Sequence, residues 1–102
     1  MPRRVLTTPE ADADIADAFD WYEAQRAGLG PDFLAEVAAV FSYLEAFPEA
    51  HTAIRGATRR AIVHRFPYGV FYIVDPDSFS VTGVLHFRRD PHAWPGRAEV
   101  EP

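Results

Sequence analysis

The stretch Arg65-Phe66-Pro67-Tyr68-Gly69-Val70-Phe71-Tyr72-Ile73-Val74-Asp75-Pro76-Asp77-Ser78 decides the fold. Its middle, from Val70 to Val74, is β-branched or aromatic at every position, so neither side is polar. That composition suits a central strand covered on both faces. Turn chemistry bounds it, with Pro67-Tyr68-Gly69 before and Asp75-Pro76-Asp77-Ser78 after. Gly69 is expected to supply a backbone angle that other residues resist. Connections this short predict two successive hairpins with residues 70–74 in the middle.

Working outward, residues 58–66 set Ile62, Val63 and Phe66 among arginines and read as the preceding strand. From Phe79 to Phe87 the period is two. Phe79, Val81, Leu85 and Phe87 share one face, and Thr82, Val84, His86 and Arg88 the other. From Arg89 the chain is rich in Pro, Gly and charge and is expected to lie outside regular structure.

The first half is helical. Val5 and Leu6 form a short edge strand, and Thr7 and Thr8 are N-cap types. Thr7 and Glu10 have capping-box spacing, and Pro9 fits a first helical turn. A helix then runs to about Ala27, with Ile15, Phe19 and Tyr22 as its apolar stripe. Gly28, Gly30 and Pro31 break the pattern. A second helix spans about Pro31 to Phe47 on the stripe Phe33, Val37, Val40, Phe41 and Leu44, and Pro48 ends it. So short a turn predicts an antiparallel helical hairpin. The order is β-α-α-β-β-β, an α+β fold with a helical hairpin packed on a small antiparallel sheet. One domain over 1–97 is expected, with 98–102 a short tail.

Composition narrows the function. The chain has 102 residues and a net charge of −5, which argues against simple nucleic-acid binding. Residues 1–50 hold ten acids and three arginines, a balance of −7; residues 51–102 hold five acids and seven arginines, a balance of +2. Lysine is absent, so every side chain counted as a full positive charge is a guanidinium, the better group for bidentate phosphate or carboxylate contacts. With no cysteine, disulfides and thiolate metal sites are excluded. No apolar run reaches the roughly 20 residues that a membrane helix needs. Pro9, Glu10 and Asp12 interrupt any signal-peptide core, so a cytoplasmic protein is expected. The four histidines show no ligand spacing, so no metal and no cofactor is expected. Ser42, Ser78 and Ser80 lack a His–Asp arrangement, and no glycine-rich phosphate loop occurs.

Several pieces together resemble a known family. Arg59-Arg60, followed by Arg65-Phe66-Pro67-Tyr68-Gly69-Val70-Phe71-Tyr72, resembles the middle strands of the ParE branch of the RelE/ParE toxins. These come from bacterial type II toxin–antitoxin pairs. Val84-Leu85-His86-Phe87-Arg88-Arg89-Asp90-Pro91-His92-Ala93-Trp94 resembles the last strand and tail, and Trp94-Pro95-Gly96-Arg97 the Trp-x-x-Arg close. Trp21-Tyr22 late in the first helix and Phe47-Pro48 ending the second also fit. The resemblance implies a toxin held inactive by an antitoxin from a neighbouring gene, in a hetero-oligomer. The ParE branch is associated with poisoning of DNA gyrase. The RelE branch cuts messenger RNA in the ribosomal A site without a metal. Gly69 stands where those ribonucleases often carry arginine, and their lysines are absent. Arg88 and Trp94 keep the spacing of the nuclease arginine and tyrosine, but tryptophan cannot transfer a proton.

The residues divide accordingly. Arg59, Arg60, Arg65, His86, Arg88, Arg89, Trp94 and Arg97 are candidate target contacts. Arg59, Arg60 and Arg65 would serve either as an anionic contact surface or as charges guarding an edge strand. Arg88 and Arg89 would either anchor a partner or pair with Asp90. Trp94 would stack on a base or cover the core. Trp21, Tyr22, Arg26 and Arg60 are candidate antitoxin contacts; the two adjacent rings cannot both face the core, and Trp21 would either sit in a groove that an antitoxin helix fills or pack laterally against the sheet. No catalytic residue is assigned to the binding-type toxin. In the ribonuclease alternative, Arg88 and Arg65 would stabilise phosphate charge, and His86 or Tyr68 would move the proton. A third reading is a degenerate homologue that binds antitoxin without harming cells. His64 is expected to be a sheet residue.

Overall fold

The computed structural model describes residues 4–88. The order is β1 (Arg4–Thr7), α1 (Pro9–Gln25), α2 (Leu29–Ala46), β2 (Ala53–Arg55), β3 (Thr58–Ile62), β4 (Tyr68–Val74) and β5 (Ser78–His86). The strands make one sheet in the order β1-β5-β4-β3-β2. The α+β class, the helical hairpin and the central place of residues 70–74 follow the sequence reading. Two features differ. The three-residue strand β2 extends the far edge, pairing Ala53 with Arg59 and Arg55 with Thr58. β1 runs parallel to β5, so the sheet is mixed. The intervening helices carry the chain over the sheet, and such a crossover is what parallel pairing requires.

Local chemistry explains the helices. Thr7 is held in β1 opposite Val81, so Thr8, one residue beyond the expected capping box, becomes the cap. Its hydroxyl accepts the Ala11 amide at 3.1 Å, and Pro9 starts the helix. Ala11, Ala18 and Tyr22 are the buried residues of α1. Two alanines there let the helix lie close to the sheet, while Phe19 turns toward α2. Gly30 and Pro31 do not break the second helix; they sit in its first turn. There the missing N–H of Pro31 costs nothing, because the amides of that turn have no intrahelical partner. Gly28, at φ 92, makes the corner. Glu23 of α1 caps α2, accepting the Gly28 amide at 3.1 Å and the Gly30 amide at 2.9 Å. A Cβ on Gly30 would come within 2.8 Å of the Phe19 ring, so glycine permits the close approach of the hairpin.

The core lies between the helices and one sheet face. Tyr22, Phe33, Phe66 and Tyr68 form its centre, their ring centroids 4.9–6.0 Å apart and in edge or tilted contacts. Val37, Leu44, Val70, Tyr72, Phe79, Val81 and Val84 complete it. Gly69 is a strand residue opposite Ile62, not a turn residue. A Cβ there would lie 3.0 Å from the Arg60 side chain, so close approach explains it. The positive φ belongs to Arg65, at 73°, in the turn between β3 and β4.

One irregularity sets the working end. β4 and β5 pair Tyr72 with Val81 but Phe71 with Gly83, which leaves Thr82 as an extra residue. This is a β-bulge, and it reverses the alternation of everything after it. Val84 therefore joins Val81 on the helix side, and the face shared by Phe79, Val81, Leu85 and Phe87 in the regular reading does not exist. The period of two hides the bulge because Thr82 and Gly83 give no apolar signal of their own.

Candidate functional site

The bulge turns His86 toward the helices, opposite Tyr68. Its ring stands edge-on to that of Tyr68, with centroids 5.2 Å apart. Around this pair opens a cleft of about 500 Å³ lined by Trp21, Tyr22, Pro67, Tyr68, His86 and Arg88. That lies within the roughly 300–1,000 Å³ of ligand-sized clefts. Trp21 is 58% exposed and stands perpendicular to Tyr22, which is only 8% exposed. Adjacent positions on α1 thus divide the labour: Tyr22 belongs to the core and Trp21 to the rim. Burial, and next the neighbouring Tyr68, raise the Tyr22 hydroxyl above its ordinary pKa and keep it protonated.

Just past β5, at residues 87–88, the chain turns. The Arg88 amide donates to His86 Nδ1 at 2.8 Å, and the Phe87 amide to the Pro67 carbonyl at 2.9 Å. A ring nitrogen that accepts must carry its lone pair, so the bond requires the neutral Nε2–H tautomer of His86. The cleft therefore offers aromatic walls, one guanidinium and one imidazole. Such a set can hold an apolar or aromatic group beside a carboxylate or phosphate. Ser42, Ser78 and Ser80 are not among its lining residues. Among the described residues no group of acids and histidines is arranged to hold a metal ion.

Residues 5–91 match the family described as ParE toxin of type II toxin-antitoxin system, parDE. The chain belongs to this ParE toxin family. Among solved structures, a chain of the chromosomal ParDE TA system from P. aeruginosa superimposes with a TM-score of 0.72 and 15% identity. The match covers 82% of this chain and 95% of that one. At that identity the likeness shows the fold alone. No curated protein matches the sequence.

The structure brings five of the expected residues of this ParE toxin together: Trp21, Tyr22, Tyr68, His86 and Arg88 line the cleft. It separates the others. Arg59 lies on the helix side of β3 and donates to the His51 carbonyl. Arg60, one residue on, takes the opposite sheet face and stacks over the Phe87 ring at 5.8 Å. Arg65 faces Asp32 and Glu36 of α2 at 3.7 and 3.8 Å. These three arginines therefore form no single contact surface. Arg26 is the exposed cap of α1, and Arg60 lies on the sheet face away from Trp21, so the four expected antitoxin residues are not one patch either. Arg89, Trp94 and Arg97 lie outside the described residues.

His51 gives no signal of its own in the sequence. The Tyr72 hydroxyl donates to the Pro48 carbonyl at 3.1 Å and lies 3.4 Å from His51 Nδ1. Burial is the main reason that the Tyr72 hydroxyl sits above its ordinary pKa; Arg59 opposes the shift and Tyr43 adds to it. His64 lies in the turn after β3 rather than in the strand. With His51, Tyr43 and Ile62 it lines a second groove, of about 240 Å³, between α2 and β3. No spacing in the sequence announces that meeting, since α2, the loop after it and β3 each contribute.

Proposed function

We propose that this chain arrests growth by binding DNA gyrase, or the gyrase–DNA intermediate, and that a cognate antitoxin encoded by an adjacent gene neutralises it in the cytoplasm. Membership of the ParE family supports the toxin role. The observation that carries the choice of surface is the cleft, where Arg88 and His86 stand beside exposed Trp21. Arg88 supplies the charge for an anionic group of the target, a charge-assisted contact worth about 1.5–3 kcal/mol. Trp21 supplies a large rigid apolar face. An antitoxin segment seated in the same cleft would cover both, which accounts for neutralisation by occlusion. Among the described residues no helix is long and apolar enough to cross a membrane.

One observation favours a second reading. Tyr68, His86 and Arg88 meet in one cleft, and an aromatic hydroxyl, an imidazole and a guanidinium are the groups a metal-independent ribonuclease uses. Against it, Tyr68 is buried among Tyr22, Phe33 and His86. Induction of the chain alone, and together with the adjacent gene, separates the readings. Gyrase poisoning gives arrest with DNA-damage signalling and no new messenger ends at A-site codons. Arrest with cleaved messenger and intact chromosomal DNA would reject it in favour of the ribonuclease. Harmless expression with antitoxin still bound would mark a degenerate homologue.

A further inference from the structure

On the far side of the helical hairpin from the cleft rim lies a groove of about 280 Å³ lined by Asp12, Ile15, Ala16, Phe19, Asp20 and Leu34. It shares no lining residue with the cleft. Ile15 and Phe19 stand one turn apart on α1 and are half-buried, and Leu34 of α2 is 40% exposed. Asp12 and Asp20 are exposed and lie two turns apart, about 12 Å along the axis. The floor is apolar and both ends are anionic. The surroundings have the same sign: α1 carries six carboxylates and α2 three, and neither holds a basic residue.

That sign restricts the occupant. An anionic membrane surface or a nucleic-acid backbone is repelled. The helical layer of a second copy is equally acidic. We propose that this groove docks a basic amphipathic helix of a protein partner. Large apolar side chains at i, i+3 and i+7 would enter over Ile15, Phe19 and Leu34, and arginine or lysine about two turns apart would meet Asp12 and Asp20. Together with the cleft of the proposed function, this gives two separate docking surfaces, an arginine-bearing one and an acidic one, with no lining residue in common.

The test titrates the isotope-labelled full chain with a synthetic amphipathic peptide of about 18 residues, five helical turns, with leucines on one face and arginines flanking them. The expected result is saturable binding, with amide shifts centred on residues 12–20 and 34. The Asp12→Asn/Asp20→Asn double variant weakens binding ~5-fold, and raising the salt to a Debye length of about 3 Å weakens it further. Leu34→Ser also weakens it, and Trp21→Ala leaves it unchanged. Because all these side chains are exposed, circular dichroism is expected to show every variant folded. Equal affinity for a scrambled peptide of the same composition, equal affinity in the double variant, shifts centred on the cleft, or no saturable binding would each overturn the proposal.

Discussion

Helices α1 and α2 carry six and three carboxylates and no base, whereas all seven arginines of the described residues lie in strands, loops and the cap of α1. The layers also differ in regularity. Each helix is one unbroken segment, while the sheet carries a bulge and a three-residue edge strand, and the turn between β3 and β4 holds a non-glycine residue at positive φ. The difference teaches how the cleft is assembled. The acidic layer carries Trp21 and Tyr22 on adjacent positions of α1. The bulge in the arginine-bearing layer turns the end of β5, with His86 and Arg88, toward them. Predictions about the seam between the layers break or sharpen this contrast.

The largest effect is expected at the seam itself. Phe33 is fully buried against Tyr22, Phe66 and Tyr68. Phe33→Ala removes the ring on which both layers pack and is expected to cost about 3–5 kcal/mol, measured by urea unfolding. A loss under about 1 kcal/mol would mean that the layers do not depend on this cluster.

Asp14 is the next link. β1 covers β5 only as far as Val81, and beyond it the Val84 amide donates to the Asp14 carboxylate at 3.0 Å. An acid of α1 thus closes the edge of β5 just past the bulge. Asp14→Ala leaves that amide unpaired and is expected to cost about 1–3 kcal/mol, with Asp14→Asn costing less because an acceptor oxygen remains. Equal losses in the two variants would show that charge, and not the acceptor, matters there.

The tyrosines give a pH dependence. Tyr22 and Tyr72 have folded-state pKa values raised from 10.0, so the fold favours their protonated forms. Their contribution is fully present below pH 10 and is lost as pH rises through the folded values. Stability is expected to fall above about pH 10, and Tyr72→Phe is expected to make that fall shallower. The same variant lowers stability at neutral pH by about 1 kcal/mol, because the bond to the Pro48 carbonyl is lost. An unchanged alkaline slope in Tyr72→Phe would count against the assignment.

The smallest effect is expected at Arg65. Its left-handed backbone costs roughly 1–2 kcal/mol for a residue with a Cβ, and its exposed ion pairs with Asp32 and Glu36 return about 0–1 kcal/mol. Arg65→Gly is therefore expected to change stability by less than about 1 kcal/mol and to leave growth arrest intact. Loss of arrest in a folded Arg65→Gly protein would restore Arg65 to the target surface.

Much of this architecture is legible in residue order. The apolar run Val70–Val74 announces the middle strand of the hairpins, and the stripe from Phe33 to Leu44 announces α2. What escapes depends on contacts between distant segments. Thr8 replaces Thr7 as cap because a strand 74 residues away claims Thr7. Gly69 looks like a turn glycine until Arg60 is laid across it. Arg59, Arg60 and Arg65 are close in sequence, yet alternation along β3 and the turn after it send them three ways. The site was half visible for the same reason. Trp21, Tyr22 and Arg88 stood out by chemistry, but placing His86 among them needs the bulge at Thr82.

The role proposed for the cleft is to stop gyrase. The most direct measurement adds the purified chain to purified gyrase and follows supercoiling, with wild type beside Arg88→Ala and Trp21→Ala. Inhibition by wild type, lost in both folded variants and reversed by the antitoxin, is the predicted result. Unimpaired supercoiling at toxin levels that arrest growth, or undiminished inhibition by both variants, would contradict it.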